Sequence, residues 1–501
     1  MNPSLTPAEA WQPLPAAQWD RDTARHLLLR TGWSARKEDI DRAASEGLTP
    51  TLDRLFPTRA PRMEQPKLVA RFAEQAAARQ REIAQMPAGE EKQRANREQQ
   101  QRSRLALEDL AMKWLQFAAR PDAAAAAKWT LFLSDVYVVS AEKVRNAAVL
   151  FDHFDTISQL GFESAPTLTK AISRSPAMVV YLDLNQSQRR APNENFAREL
   201  FELFVLGEGN YTEADIKEAA RAFTGYRAQP QQATGFRFAA QQHDPTAKTI
   251  FGETGTFMGD DVIDLAYRQP AAARFLPREL ARFYLSDQTL AAEHVAALGD
   301  AWKSTDNFNL RQLAHRFFGS RLFYAPEFRG NFIKSPLQFY LGVVQDFDLD
   351  VAPLPRFTLT PLRQMGQQLF QPPNVRGWVG GRTWINSATL AARRQFVETL
   401  FAPLDERALN ADEQFELTAA RTNGLRDITV PDKALQPFVG SGPQDSAGRL
   451  IASLLGPVRD PALHENLSAF IASSAANDTQ HLRRVRRAAV TLLQSPEYQL
   501  C

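Results

Sequence analysis

Two carboxylates one helical turn apart, on a segment that is otherwise largely apolar, are the strongest chemical signal in this sequence. Residues 192–225 read PNENFARELFELFVLGEGNYTEADIKEAARAFTG. At about 100° per residue, Phe196, Leu200 and Leu203 share one face, and Asn195, Glu199 and Glu202 form a stripe beside it. Phe201, Val205 and Leu206 make the far side apolar too. An acid near an interior is costly unless it is paired, bound to a metal or protonated. Glu199 and Glu202 are therefore candidates to hold one divalent cation, or to fork onto an arginine such as Arg198 or Arg221. Glu194 and Arg198 are spaced for an i,i+4 pair. Asn193 predicts the N-cap of this helix, Thr212 with Asp215 a capping box for the next, and Gly225 the C′ position that ends it.

Two further constellations carry chemistry. His243-Asp244, followed by Lys248, lies in a loop-like stretch. A His beside an Asp can supply metal ligands, or a base and the group that orients it; the alternative is a turn former. The segment 372–384, PPNVRGWVGGRTW, brings Trp378 and Trp384 together with Asn374, Arg376 and Arg382. Aromatic faces beside planar donors can stack on a sugar or a cation; the alternative is that both rings plug an irregular loop onto the core. The other histidines lack HExxH or HxH spacing, and GxSxG, P-loop and dinucleotide fingerprints are missing. Serine-nucleophile and nucleotide chemistry are poorly supported.

The elements that must position these residues read as helices. Residues 66–119 give helical periodicity at Leu105, Leu107, Leu110, Met112 and Leu115, broken at Met86-Pro87-Ala88-Gly89. This predicts a long α-hairpin whose mixed charges make a solvated face. Two short helices are expected over 20–56, the second capped by Ser34. Helices are also expected at 261–284, 290–303 and 308–319, after Pro336, from Asn386 or Ser387 to Leu400, and near 446–456 and 480–494. Residues 226–260 read as an irregular excursion with a small hairpin, and 427–430 as an extended segment. The fold class is all-α: a large multi-helix bundle with a charged long α-hairpin and two irregular loop excursions that converge on the Glu-rich helix. Residues 1–501 read as a single unit. Within it lie 66–119, the hairpin; 193–260, the helix pair with the His-Asp loop; 371–400, the tryptophan loop and its helix; and 404–501, a loop-rich and helical C-terminal part.

Composition narrows the partners. The 501 residues carry 59 basic and 57 acidic side chains, a formal charge of +2, so no global field draws nucleic acid. No apolar run is long enough for membrane insertion. The one cysteine, Cys501, excludes an intramolecular disulfide or a cysteine-built zinc site, and reads as an exposed tail residue. The first residues, MNPSLTPAEAWQPLPAAQWDRD, have no secretory pattern. The expectation is a cytoplasmic protein; a removed leader, or export with a partner that carries the signal, would instead place it in the periplasm or outside the cell.

The motifs PNENFARELFELFVLGEGNYTEADIKEAARAFTGY, HDPTAKTIFG, FIKSP and QLFQPPNVRGWVGG, with ARHLLLRTGWS near residue 24 and LLQSPEYQL at the end, make the chain resemble a large bacterial family catalogued as a domain of unknown function, number 1800. The resemblance covers nearly the whole chain. It implies a mostly helical protein, often exported, whose gene commonly neighbours that of a protein resembling sulfatases or phosphatases. Many relatives carry Trp-His-x-His-Phe ahead of the Pro-Asn-Glu-Asn segment. Here the corresponding stretch is LFLSDVYVVS, with Leu133, Ser134, Val136 and Tyr137 in those places. Both histidines are absent, and Asp135 could replace one at most. A family metal site built from that pair would be degenerate in this chain.

Two functional readings result. The first is a non-catalytic binding or assembly protein, acting with a sulfatase- or phosphatase-like partner and with a glycan as a further possible ligand. The second is a metal-dependent hydrolase with a reduced site, in which Glu199, Glu202, His243 and Asp244 hold a divalent metal ion and Arg198 or Lys248 stabilises developing negative charge. The second requires the carboxylates and the His243 ring around one shared cavity.

Overall fold

The alanine-rich segment AAAAKWTLFLSDV forms a central helix, Ala124–Val136, and all 13 of its residues are buried. A helix buried on every side belongs inside a large core, and its neighbours enclose it. The helices Arg21–Thr31, Glu90–Ala118, Ala147–Leu160 and Ala272–Tyr284 pack against it. Trp129 anchors this core: its indole N–H donates to the Gly161 carbonyl at 2.7 Å, and its ring meets Phe56, Phe132, Phe162 and Tyr284. The indole is thus buried with its one donor satisfied.

This architecture comes from a computed structural model that describes residues 3–229, 235–456, 461–473 and 478–501. Among them are 25 α-helices and two small two-stranded sheets, so the chain is mostly all-α. No helix of the described residues is long and apolar enough to cross a membrane.

The expected α-hairpin is present as Lys67–Gln85 and Glu90–Ala118, with the break at Pro87. Its outer face carries pairs such as Arg79–Glu82 and Arg94–Glu98, as a solvated face should. The 226–260 excursion holds two hairpins rather than one. β1 (Tyr226–Ala228) pairs antiparallel with β2 (Phe236–Phe238), Tyr226 opposite Phe238. β3 (Lys248–Ile250) pairs antiparallel with β4 (Glu253–Gly255), Lys248 opposite Gly255. Residues 230–234 of this excursion lie outside the described residues.

Several boundaries differ from the sequence reading. Residues 20–56 make three helices, because Gly47 at φ +88° breaks the second run. Ser34 does not cap; its hydroxyl donates to Asp346. The 261–284 stretch is two helices, Gly259–Arg268 and Ala272–Tyr284. The C-terminal part gains Pro461–Ala472 between the two expected helices, and 427–430 forms no strand. Leu354, Leu409, Leu417 and Ile428 form a small core separate from the main one. Cys501 is buried, not an exposed tail: its N–H donates to the Phe332 carbonyl at 2.8 Å.

Candidate functional site

Asp135 sits on the last turn of the central helix, where the side chain is 5% exposed. Its carboxylate accepts the backbone N–H of Trp378 at 2.8 Å, and Arg282 stands 3.7 Å away. One backbone donor is worth about 1.5–3 kcal/mol to a charged acceptor, less than the several kcal/mol that burying the ion costs. Burial therefore wins and pushes this acid up to about 7.

Glu202 reaches the same place from the Glu-rich helix. That helix starts as Asn195–Glu199 and widens into a π-helical stretch, Leu200–Val205, where Leu206 N–H bonds back to Phe201 O at 2.9 Å. Such insertions often lie at functional sites. The wider turn buries Leu200, Phe201, Phe204 and Val205 and leaves Glu202 half-buried at the edge. Its carboxylate accepts from Tyr211 Oη at 2.9 Å and from Arg376 at 2.8 Å. Arg376 also bridges to Glu208 at 2.6 Å. Glu199, one turn earlier, is raised by burial and by Glu202.

Residues 371–384 close the arrangement. Asn374 Oδ1 accepts the Arg376 N–H at 2.8 Å, which turns the chain. Gly377, at φ +74°, lies so close to Asp135 that a Cβ there would fall on its carboxylate. Arg282 donates to the carbonyls of Trp378 (3.4 Å) and Val379 (3.1 Å). The loop thereby becomes a wall between two cavities. Outside it is a cleft of about 450 Å³, bounded by Val136, Glu202, Phe275, Arg278 and Arg376. Inside it is a chamber of about 50 Å³, bounded by Trp33, Lys128, Gln367, Trp378 and Trp384. Asp135 touches both. Trp384 is buried and Trp378 packs on the core, so the two rings act as plugs.

The structure does not bring Glu199, Glu202, His243 and Asp244 into one site. Asp244 belongs to a separate network on the helix Glu213–Ala222. Arg221 donates to Asp244 at 2.8 Å and to Glu218 at 2.6 Å, while Thr246 donates its N–H and hydroxyl to Asp244. His243 Nδ1 donates to the Thr224 carbonyl at 3.0 Å. Lys248 is buried with its ammonium on the carbonyls of Asp244 and Thr246. Among the described residues, no group of three or more His, Cys, Asp or Glu is placed to hold a metal ion. The expected arginine partners of the Glu stripe are engaged elsewhere, Arg198 with Glu213 at 2.8 Å and Glu194 at 3.3 Å; Arg376 takes their place.

Two capping expectations also change. Helix Asn195–Glu199 has Glu194 at its N-cap position, and Asn193 instead accepts the Asn195 N–H at 2.9 Å, making a turn before it. Asn195 is exposed, with its amide 3.5 Å from Asp183. Gly225 does not end the next helix; it lets the chain approach Ala239 O closely at φ +85°. The Thr212–Asp215 capping box and the Glu194–Arg198 pair are formed.

Sequence reasoning missed Lys128, Arg278, Glu279 and Arg282. Lys128 carried a signal, being the one charge in AAAAKWTLFL. The other three sit on an ordinary amphipathic helix and carried none.

Comparison with known proteins gives one match: the family profile described as a protein of unknown function, DUF1800, fits residues 26–500. No curated protein and no solved structure matches the chain.

Proposed function

The chain belongs to the DUF1800 family, and from that premise we propose that it is a non-catalytic binding or assembly protein whose outer cleft receives a charged segment of a sulfatase- or phosphatase-like partner. The observation that carries this reading is the double pairing of Arg376. It spans Glu202 and Glu208 at the rim of an open cleft, so one of the two glutamates a metal site would use, Glu202, already has a cation. Arginine offers planar, bidentate donors to carboxylates, and it is enriched at interfaces. Arg278 and Arg282 add donors, and Glu279 and Asp135 acceptors, so the cleft offers both signs to a polar segment. Val136, the position where relatives carry their second histidine, borders this cleft with an inert side chain.

The metal-dependent hydrolase reading has less support, since its four candidate side chains are dispersed over two networks. The test is capture in the native host with wild type and Arg376→Glu, followed by titration of the purified pair. A hydrolase-like partner bound by wild type and lost with Arg376→Glu is the expected result. Isolation as a lone monomer removes the reading.

A further inference from the structure

The inner chamber behind the 378–381 loop shares Asp135 and Arg282 with the outer cleft, but its Lys128, Gln367 and Trp384 have their own chemistry. Lys128 enters it from the central helix. Its ammonium donates to the Gly32 carbonyl at 2.9 Å and to Gln338 Oε1 at 3.0 Å, both neutral acceptors. It stands 5.4 Å from the Trp33 ring centroid and 5.8 Å from that of Tyr284. Among the described residues it makes no salt bridge. A buried cation with no carboxylate in contact is costly, and π faces offset only part of that cost.

The rest of the polar lining is donor-rich. Gln367 is buried and uses Oε1 to accept the Leu337 N–H at 3.0 Å. That leaves its Nε2 to face the chamber. Among the described residues neither Gln367 Nε2 nor Trp384 Nε1 finds an acceptor. Asp135 closes the far end, where burial raises its pKa and favours the neutral form. Burial lowers Lys128 to about 7; Cys501 opposes that shift, and Arg30 and Lys334 add to it, so an anion seated in the chamber would favour the charged ammonium. At roughly 10–15 Å³ per water, the volume of about 50 Å³ admits a few waters or one small planar anion.

We propose that this chamber is a binding site for a small planar monoanion, a carboxylate or an inorganic oxyanion of the same shape, held by Lys128 Nζ, Gln367 Nε2 and Trp384 Nε1. The anion would meet the ammonium directly, and the two N–H donors would supply charge-assisted hydrogen bonds. The tryptophan walls exclude a larger or strongly hydrated ion. Lys128, Gln367 and Trp384 do not line the outer cleft, so the two proposals fail separately.

The experiment is calorimetric titration of the full chain with formate, acetate, nitrate and phosphate, against chloride at matched ionic strength. Wild type, Lys128→Met, Gln367→Glu and Trp384→Phe are compared. Gln367→Glu keeps an oxygen for Leu337 N–H and turns the opposing donor into an acceptor. Trp384→Phe keeps a ring and removes one N–H, so it tests the site even where Lys128→Met does not fold. Saturable binding of at least one planar monoanion is expected, about tenfold weaker or more in Gln367→Glu and Lys128→Met and a few-fold weaker in Trp384→Phe. Binding of formate and acetate without nitrate assigns a carboxylate ligand; nitrate as well assigns the wider oxyanion class. Saturation by phosphate alone, saturation by none of the four, or binding unchanged in both Gln367→Glu and Trp384→Phe overturns the proposal.

Discussion

Asp135 and Trp378 lie 243 residues apart in sequence, and the carboxylate of one accepts the backbone N–H of the other at 2.8 Å. This contact ties the central helix to the loop that carries Arg376. It fixes where the loop's wall stands between the outer cleft and the inner chamber, and it does so with an acid that burial drives to about 7.

Asp135 should give the protein a distinctive pH dependence. The acid binds its proton more tightly folded than unfolded, where it ionises near about 4. Its contribution is complete at low pH and is lost as pH rises from about 4 through about 7. Arg282 and Glu279 face it from the Ala272–Tyr284 helix with opposing effects. Asp135→Asn keeps an oxygen for Trp378 N–H and cannot ionise. The unfolding free energy of wild type should therefore fall relative to that of the variant across this window, by on the order of 1–4 kcal/mol, and run parallel above it. A difference that stays constant from pH to pH would show that Asp135 is not the titrating group.

Gly377→Ala should loosen the loop. The glycine is at φ +74°, and an added Cβ would lie 2.8 Å from Asp135 Cγ. Left-handed strain of about 1–2 kcal/mol adds to that clash, and the neighbour is held in a buried bond. Hydrogen exchange over 371–384 should accelerate while exchange in the Ala124–Val136 helix stays slow. Unchanged protection of the Trp378 amide would contradict the geometry.

Arg376→Met separates stability from binding. Arg376 is 55% exposed, and surface pairs of this kind contribute about 0–1 kcal/mol. Tyr211 still donates to Glu202 at 2.9 Å. The melting temperature should change little, while affinity for the captured partner falls about tenfold or more, as loss of an interface arginine does. A large drop in stability with affinity preserved would reverse the roles assigned here.

The sequence made the helices legible and the site only half so. Periodicity located the hairpin, and the Thr212–Asp215 box was readable because capping is local. The Glu stripe was placed at a constant 100° per residue, but the π-helical stretch at Leu200–Val205 breaks that spacing, and nothing in FELF announces it. The partner of Glu202 was sought on nearby arginines; it is Arg376, 174 residues away, and pairing at that range depends on tertiary packing. His243-Asp244 was legible as a motif but not as a place, since its network forms on Arg221 and leaves the Glu stripe to other partners.

That second network makes its own prediction. Burial alone would raise Asp244, but hydrogen bonds from Arg221 and Thr246 overcome it and hold the acid well below the ordinary carboxylate range. A lowered acid contributes stability above its unfolded pKa near about 4 and loses that contribution as pH falls through its folded value. Asp244→Asn should therefore cost stability near neutral pH, because it leaves Arg221 and Glu218 to share one pair and weakens the turn before β3. The gap between variant and wild type should narrow as the solution is acidified below about pH 4. Urea unfolding at graded pH, with limited proteolysis of 243–250 as the local readout, checks both parts. A gap that widens on acidification would mean that Asp244 is protonated in the folded protein, and the Arg221 pairing would have to be abandoned.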